Sequence, residues 1–286
     1  MPDFDKIARR LTKNAYLPLD DQVEQLQRLC PDVVCQLEQD SGRGGPLIFW
    51  GTCRNVDELA GKVIVDPGIL KLIFRVAEQR LDIEFPHAGL QHTYGYLFSV
   101  INTPYGKKRE RWTSDALEHS LALPSDTLSP APATGTLLAN ATWLAGNIAF
   151  RGHARRNWLI RCLRKRVASA MGQLDIDAMT RLRSVETISL QRDRGRDASV
   201  SLITDLLRLP QTERGAEEWL LVYSVNDSRK PHPEIITLFT VAQAFVQAVR
   251  ERSAKGKLDD IRLRYNAWVP GFPAAPQSGT VRLVTE

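Results

Sequence analysis

The sequence predicts an α+β protein in which amphipathic helices pack against a mixed, mainly antiparallel sheet. Two apolar runs at 219–225 and 234–241 flank the polar segment 226–233, which is the pattern of a strand hairpin with a long loop. A helix and then a strand over 261–269 follow this hairpin. This C-terminal hairpin–helix–strand unit, together with the helical spacing of apolar residues elsewhere, indicates the fold class.

Apolar positions three and four residues apart predict helices along the rest of the chain. The segments with this spacing are 7–11, 20–29, 70–81 and 155–171. In the last of them Leu159, Cys162 and Leu163 form one stripe, and Gly172 follows as a C-cap. The stretch 136–150 is apolar and rich in small residues, and its sequence fits either a helix or a pair of strands.

Short apolar or alternating runs predict three further strands, at 46–50, 94–101 and 184–190. Thr103-Pro-Tyr-Gly106 fits a type I turn, because proline fixes the φ angle that its second position requires. The tail after Pro270 contains proline and glycine, and we expect it to be loosely ordered.

The chain of 286 residues suits one large domain or two ordinary ones. Three prolines between residues 123 and 135 mark a linker or long loop. We therefore divide the chain into an N-terminal α/β part at 1–123, which carries a basic hairpin, and a C-terminal α+β part at 136–286. The alternative is one continuous domain.

Several classes of function are disfavoured by the sequence. It contains no phosphate-binding glycine loop, nucleophile elbow, zinc-protease motif or CxxC pair, so we expect no cofactor, no metal site and four ordinary thiols. Acidic residues at positions 3 and 5 argue against a secretory signal, and the longest charge-free stretch, 127–150, is too polar for a membrane span. We therefore expect a cytoplasmic protein without a membrane partner.

The first candidate site is the aromatic and basic segment 85–111. In it His92 is the predicted general acid or base and His87 its partner, because imidazole exchanges a proton near neutral pH. Four residues between the two histidines do not match the spacing of metal ligands on a helix. The predicted catalytic residues are His92, His87, Tyr94 and Lys107, and the predicted anion-binding residues here are Tyr105, Arg109 and Arg111. The alternative is a surface loop with a solvated basic tip.

The second candidate site is the region between Asp126 and Asp175, which contains no acidic residue between these two positions. Its cations are Arg151, Arg155, Arg156, Arg161, Arg164, Lys165 and Arg166. A helix with one apolar stripe and arginines around it can present cations to phosphate, and we assign anion binding to Arg151 and Arg155. The alternative is a solvated face neutralised by acids elsewhere.

Three functional hypotheses follow from these clusters. The leading one is a metal-independent enzyme, such as a hydrolase, acting on an anionic substrate such as RNA or a nucleotide by histidine acid–base chemistry. The second is a non-catalytic module that binds nucleic acid or an acidic protein through the arginine-rich helix. The third is a small-molecule enzyme with a pocket between the two halves, lined by 136–150. The leading hypothesis requires the arginines of 151–166 to meet the imidazoles in one recess.

Overall fold

The fold is a mixed α+β arrangement of helices around a five-stranded antiparallel sheet. The computed structural model describes residues 2–57, 61–103, 106–112, 115, 118, 121, 123–128, 135–193, 196–209, 218–254, 267–269 and 279–285. The α-helices in these residues are α1 (Phe4–Lys13), α2 (Leu19–Leu29), α3 (Pro31–Ser41), α4 (Pro67–Val76), α5 (Ala88–Leu90), α6 (Leu137–Ala149), α7 (Arg156–Leu163), α8 (Ser169–Gly172) and α9 (Gln243–Ala254).

The sheet is an antiparallel meander closed at one edge by the last strand. The strands are β1 (Thr52–Cys53), β2 (Asn102–Thr103), β3 (Gly106–Lys107), β4 (Arg181–Asp193), β5 (Arg196–Arg208), β6 (Glu218–Asp227), β7 (Glu234–Ala242), β8 (Ala267–Trp268) and β9 (Gly279–Thr285). The main sheet has the order β7-β6-β5-β4-β9, while β1 pairs with β8 and β2 pairs with β3. The predicted hairpin of β6 and β7 is confirmed, as are the predicted strand at 184–190 and the helix after the hairpin.

The stretch 136–150, whose sequence fits either a helix or a pair of strands, forms helix α6. It begins after Thr136, whose hydroxyl accepts a hydrogen bond from the backbone N–H of Ala139. Almost every side chain along it is buried, and it packs against β5, β6 and β7. A helix that is apolar all round belongs in the interior, and this is why no single stripe marks it in the sequence.

Two predicted strands are wrong, because both segments are helical. Pro46–Phe49 forms a 3₁₀ turn, which proline at its first position favours. The run predicted as a strand at 94–101 instead continues α5 through a π-turn, Gln91–Gly95, and a 3₁₀ turn, Tyr96–Phe98. This run is buried on nearly all sides, so its composition lacks the periodicity that distinguishes the two structures.

The predicted long helix at 155–171 is also wrong, since it divides into α7 and α8. The chain between them bends because Val167 forms a bridge with Gly135 and the Ala168 N–H donates to the Asn140 side chain at 2.9 Å. Gly135 has a φ of +78°, and a Cβ there would lie 2.1 Å from the Arg166 carbonyl oxygen. A glycine at 135 therefore lets the two chain segments approach.

The C-terminal end differs from expectation in two respects. The tail contains β9, which pairs with β4 in a regular antiparallel register, instead of being loosely ordered throughout. Of the strand predicted at 261–269, only 267–269 are described, and β8 pairs with β1 and not with the hairpin. The central residues of the turn at 103–106 and most of the linker at 129–134 lie outside the described residues.

One hydrophobic cluster contains buried residues from both predicted parts of the chain, from Phe4 to Val269. The division into two parts stays a prediction. In the described ranges, no helix combines the length and the hydropathy that crossing a bilayer requires.

Candidate functional site: a cationic recess

A recess lined by cationic residues lies at the end of α7. It has a volume of about 510 Å³ and is lined by cations from two distant chain segments. The lining side chains are Arg43, Arg161, Cys162, Arg164, Lys165 and Arg166, and we call this feature the cationic recess. Its lining contains five cationic residues and no carboxylate.

Arg166 joins the two segments. Its Nη1 atom donates to the Gln39 carbonyl oxygen at 2.6 Å, in the last turn of α3. The last turn of α3 contains no basic residue of its own, and a cation stabilises the carbonyl end of a helix. Arg166 therefore has a structural role, and it fixes the loop that carries Arg43 beside α7.

The other four cations are exposed, and their charges are not neutralised by neighbours that the structure describes. Within the described ranges no ion pair or hydrogen bond involves the side chain of Arg43, Arg161, Arg164 or Lys165. Burial raises the pKa of the half-buried Cys162 thiol, and Arg161 and Arg166 oppose that rise. The recess is therefore a place where an anion would be attracted without displacing an internal carboxylate.

The two anion-binding residues predicted on this segment lie elsewhere. Arg151 pairs with Asp177 at 3.7 Å, and Asp177 also accepts from Arg156 at 3.1 Å. Arg155 lies over the ring of Trp158, 5.5 Å from its centroid. The cations that line the recess thus lie in the C-terminal half of the segment, and they begin about one helical turn beyond Trp158.

His92 and Tyr94 are buried in the interior, where their described contacts are with other side chains. The His92 ring lies 4.7 Å from the Tyr96 ring and 6.4 Å from the Trp50 ring, centroid to centroid. The Tyr94 hydroxyl donates to buried Asp40. Burial, followed by the Asp40 charge, raises the pKa of Tyr94 well above its ordinary value, so this hydroxyl keeps its proton.

His87 lies apart from these contacts, at a second recess. One nitrogen of its ring is 2.9 Å from the Leu47 carbonyl oxygen. Burial lowers the pKa of His87 to about 4, so the imidazole is neutral at physiological pH. His87 is one of the predicted catalytic residues, and it lines this second recess.

Of the anion-binding residues predicted at 105–111, the structure describes the side chain of Arg109 alone. Arg109 pairs with Asp5 and donates to the Ser99 carbonyl oxygen at 3.2 Å, which connects α1 to the segment after β3. Lys107 lies in β3 and Arg111 in a 3₁₀ turn, but their side chains, like the whole of Tyr105, fall outside the described residues.

The sequence analysis assigns no role to two cations, one in the lining of the cationic recess and one in a buried ion pair. Arg43 lines the cationic recess although it is far from α7 along the chain, and no local pattern marks it. Lys108 is buried, pairs with buried Asp57 at 3.0 Å and lies over the Tyr96 ring. An acid at 57 and a lysine at 108 carry no sequence signal for pairing, because only the fold brings them together.

No group of three or more histidine, cysteine or acidic side chains in the described part of the chain is arranged to hold a metal ion. All four cysteines are free thiols. Comparison with protein-family models, with curated proteins and with solved structures finds no significant match to this chain.

Proposed function

We propose that this protein binds nucleic acid, and that the cationic recess receives its phosphate groups. The observation that carries the proposal is the convergence of Arg43, Arg161, Arg164, Lys165 and Arg166 on one volume without a lining carboxylate. Arginine suits this role because its planar guanidinium can donate two parallel hydrogen bonds to one phosphate.

A purely structural role accounts for only part of this cluster. Cations near the carbonyl ends of α3 and α7 stabilise the helix dipoles, and Arg166 does so through Gln39. A helix end gains from one or two cations, however, and further like charges repel one another. Four exposed cations held together therefore favour an external anion as the partner.

A nucleic acid fits better than a single small anion because the positive charge continues along the helix. Residues 155, 158, 161 and 165 are spaced three or four apart, so they lie along one side of α7 and the turn that follows it. Arg155 covers part of the half-buried Trp158 ring at the other end of this row. A ligand with repeated phosphates would contact several members of the row, and an aromatic ring beside arginine is a common surface for a base.

The positions of His92 and Tyr94 support the histidine acid–base hypothesis less than the cationic recess supports nucleic-acid binding. It requires His92 and Tyr94 to reach a substrate beside the arginines, whereas their described contacts are Trp50, Tyr96 and Asp40 in the interior. We therefore propose binding, and not catalysis, as the activity of the cationic recess.

The test compares two double variants with the same change in net charge. R161Q/R164Q removes two cations of the recess. R28Q/R75Q removes two exposed arginines of α2 and α4, which pair with Glu24 and Asp20 of α2. We expect R161Q/R164Q to weaken binding of a single-stranded RNA or DNA oligonucleotide about tenfold or more. The slope of log K against log salt should fall by about 1.4, since each phosphate contact contributes about 0.7.

The control double variant should bind within about twofold of the parent protein. Equal losses in the two variants would mean that only net charge matters, and a parent protein that shows no salt-dependent binding at low ionic strength would end the proposal. Cys162 gives a second readout, since it lies in the recess while Cys30 and Cys53 are buried. In a C35S background, bound oligonucleotide should slow alkylation of Cys162.

A further inference from the structure

Two histidines outside the cationic recess, His153 and His232, lie beside the first turn of α7. His153 is in the turn before this helix, and His232 is in the loop between β6 and β7, with its ring 5.4 Å from the Trp158 ring. Both imidazoles pack against the buried ring of Phe150, with centroids 5.8 Å and 5.6 Å from it. The two half-buried rings are therefore neighbours at the end of α7 that is opposite the cationic recess.

The backbone holds each ring through its Nδ1 atom and leaves Nε2 available. Nδ1 of His153 accepts a hydrogen bond from the backbone N–H of Arg155 at 3.1 Å. Nδ1 of His232 is 2.9 Å from the Pro233 carbonyl oxygen, which only accepts, so this Nδ1 carries a proton. Within the described ranges neither Nε2 atom makes a hydrogen bond, and neither belongs to the polar atoms that are both enclosed and unbonded. A ligand at this surface can therefore reach Nε2, the ring nitrogen farther from the chain.

The two rings differ in where they carry their protons. Because Nδ1 of His153 accepts, the neutral ring has its proton on Nε2 and can already donate to an anion. Burial, followed by the positive charges of His232 and Arg155, lowers the pKa of His153, so this ring is neutral at physiological pH. The neutral His232 ring has a lone pair on Nε2 instead, and it donates there only after it takes up a second proton. That second proton leaves the bond to Pro233 intact.

The carboxylates near these rings are already paired with cations. In the loop that carries His232, Asp227 pairs with Arg229 at 2.7 Å and Glu234 of β7 pairs with Lys230 at 2.6 Å. Beside His153, Asp177 pairs with two arginines, Arg151 and Arg156. The first turn of α7 contains no acidic residue, and among the described side chains no carboxylate forms an ion pair with either histidine or with Arg155. A positive charge on His232 therefore remains available to an external anion.

We infer that His153 and His232 form a second phosphate site on the nucleic-acid surface, in which His153 donates at neutral pH and His232 adds a charged donor when it is protonated. The inference rests on the proposed function, because the row of side chains along α7 connects this site to the cationic recess. Helix α7 has eight residues and is about 12 Å long, so a ligand with several phosphates is needed to occupy both ends. Nucleic-acid binding should therefore become tighter in mildly acidic solution.

The experiment measures binding of an oligothymidine to the full chain at about pH 7.5 and about pH 5.5, at constant ionic strength. Thymine and phosphodiester groups do not titrate in this range, so any pH dependence comes from the protein. We expect the parent protein to bind about threefold or more tightly at the lower pH. Calorimetry at about pH 6, in two buffers with different ionisation enthalpies, should show net uptake of protons on binding.

Three variants assign this pH dependence to its source. H232Q is neutral at both pH values and should lose most of the tightening and of the proton uptake. H232K is charged at both pH values and should bind tightly at both. H153N keeps an acceptor for the Arg155 N–H but lacks the Nε2 donor, so it should bind about threefold more weakly at both pH values and keep the pH dependence. Asp40, which also gains a proton in this range, is the same in the parent protein and in H232Q.

The outcomes separate this inference from the proposed function. Binding that does not depend on pH, or an H232Q variant that keeps the full pH dependence and proton uptake of the parent protein, would overturn the phosphate site and leave the cationic recess as the binding surface. A parent protein that binds no oligothymidine at either pH would contradict the proposed function and this inference together.

Discussion

Arg166 donates a hydrogen bond to the backbone carbonyl of Gln39 at 2.6 Å, so a side chain that follows α7 caps the end of α3. This bond places Arg43 next to the cations of α7, and the cationic recess depends on it. Two segments that are far apart in the sequence thereby form one surface.

Replacing Arg166 by methionine should destabilise the protein by about 1–2 kcal/mol, because the Gln39 carbonyl would lose a charged donor. The measurement is the urea midpoint, compared with that of R164M. The Arg164 side chain is exposed and makes no hydrogen bond within the described ranges, so R164M should change stability by less than about 0.5 kcal/mol. Similar midpoints for the two variants would contradict the structural role of Arg166.

Gly135 should tolerate no side chain. It has a φ of +78°, and an alanine Cβ would lie 2.1 Å from the Arg166 carbonyl oxygen. We expect G135A to lose at least about 2 kcal/mol, because backbone strain and a clash with the main chain add together. Gly152 is the matched control, since its φ is +74° but nothing lies within 4 Å of its Cβ position.

In G152A only the backbone strain remains, and the expected loss is about 1 kcal/mol. Thermal or urea unfolding of both variants would separate the two contributions. If G135A were no less stable than G152A, the close approach of 135 to the end of α7 would be disproved.

Asp205 should be the most sensitive carboxylate in the sheet. It is fully buried in β5 and accepts hydrogen bonds from Arg181 at 2.8 Å and Arg183 at 2.7 Å. Both arginines also donate to the Ile148 carbonyl oxygen at the end of α6, at 2.9 and 3.3 Å. This cluster thus fastens the central helix to the sheet.

The substitution D205N would leave two arginine charges without their carboxylate, and we expect a loss of about 3–5 kcal/mol. The matched control is D177N, since Asp177 is exposed and pairs with Arg151 and Arg156 at the surface. An exposed pair contributes about 1 kcal/mol or less. Equal effects of the two substitutions in urea unfolding would refute the buried network.

Asp40 should give stability a measurable pH dependence. It is buried, accepts hydrogen bonds from Tyr94 and Thr136, and burial raises its pKa from 3.8 to about 6 despite these bonds. Because the folded protein binds this proton more tightly than the unfolded chain, the contribution is complete below pH 3.8. It is lost as pH rises through about 6.

The measurement is the unfolding free energy of the parent protein minus that of D40N, from pH 4 to pH 7.5. This difference should fall with rising pH by up to about 3 kcal/mol, since one pKa unit corresponds to about 1.4 kcal/mol. A difference that stays flat, or rises, would show that folding does not raise the pKa of Asp40.

The sequence predicts the parts of this fold that have one apolar face or a plain hairpin, such as β6, β7 and α4. It fails where a segment is buried on all sides, as in the helical run at 88–98, because periodicity then disappears. Strand β5 has no counterpart in the sequence reading, although it is the third strand of the sheet. The charge of Asp205 within it belongs to a buried network that only the folded sheet completes.

The sequence predicts that a candidate site contains cations of 151–166, but it does not predict which of them line a recess. A run of cations without local acids marks the segment 151–166, and its last third does line the cationic recess. Which arginines remain available depends on Asp177, which follows the run in sequence and neutralises its first members. His92 lies in the buried run at 88–98, and its meeting with these arginines stays a prediction.

The strand order also bears on how the chain assembles. Strands β4 to β7 pair with their neighbours in sequence, so each pairing closes a short loop. Strand β9 pairs with β4, although the other strands of the meander and α9 lie between them in the sequence. Closing the longer loop loses more chain entropy, and contacts between distant residues slow folding. We expect the meander to form early and the docking of the final strand to be the late step that completes the native state.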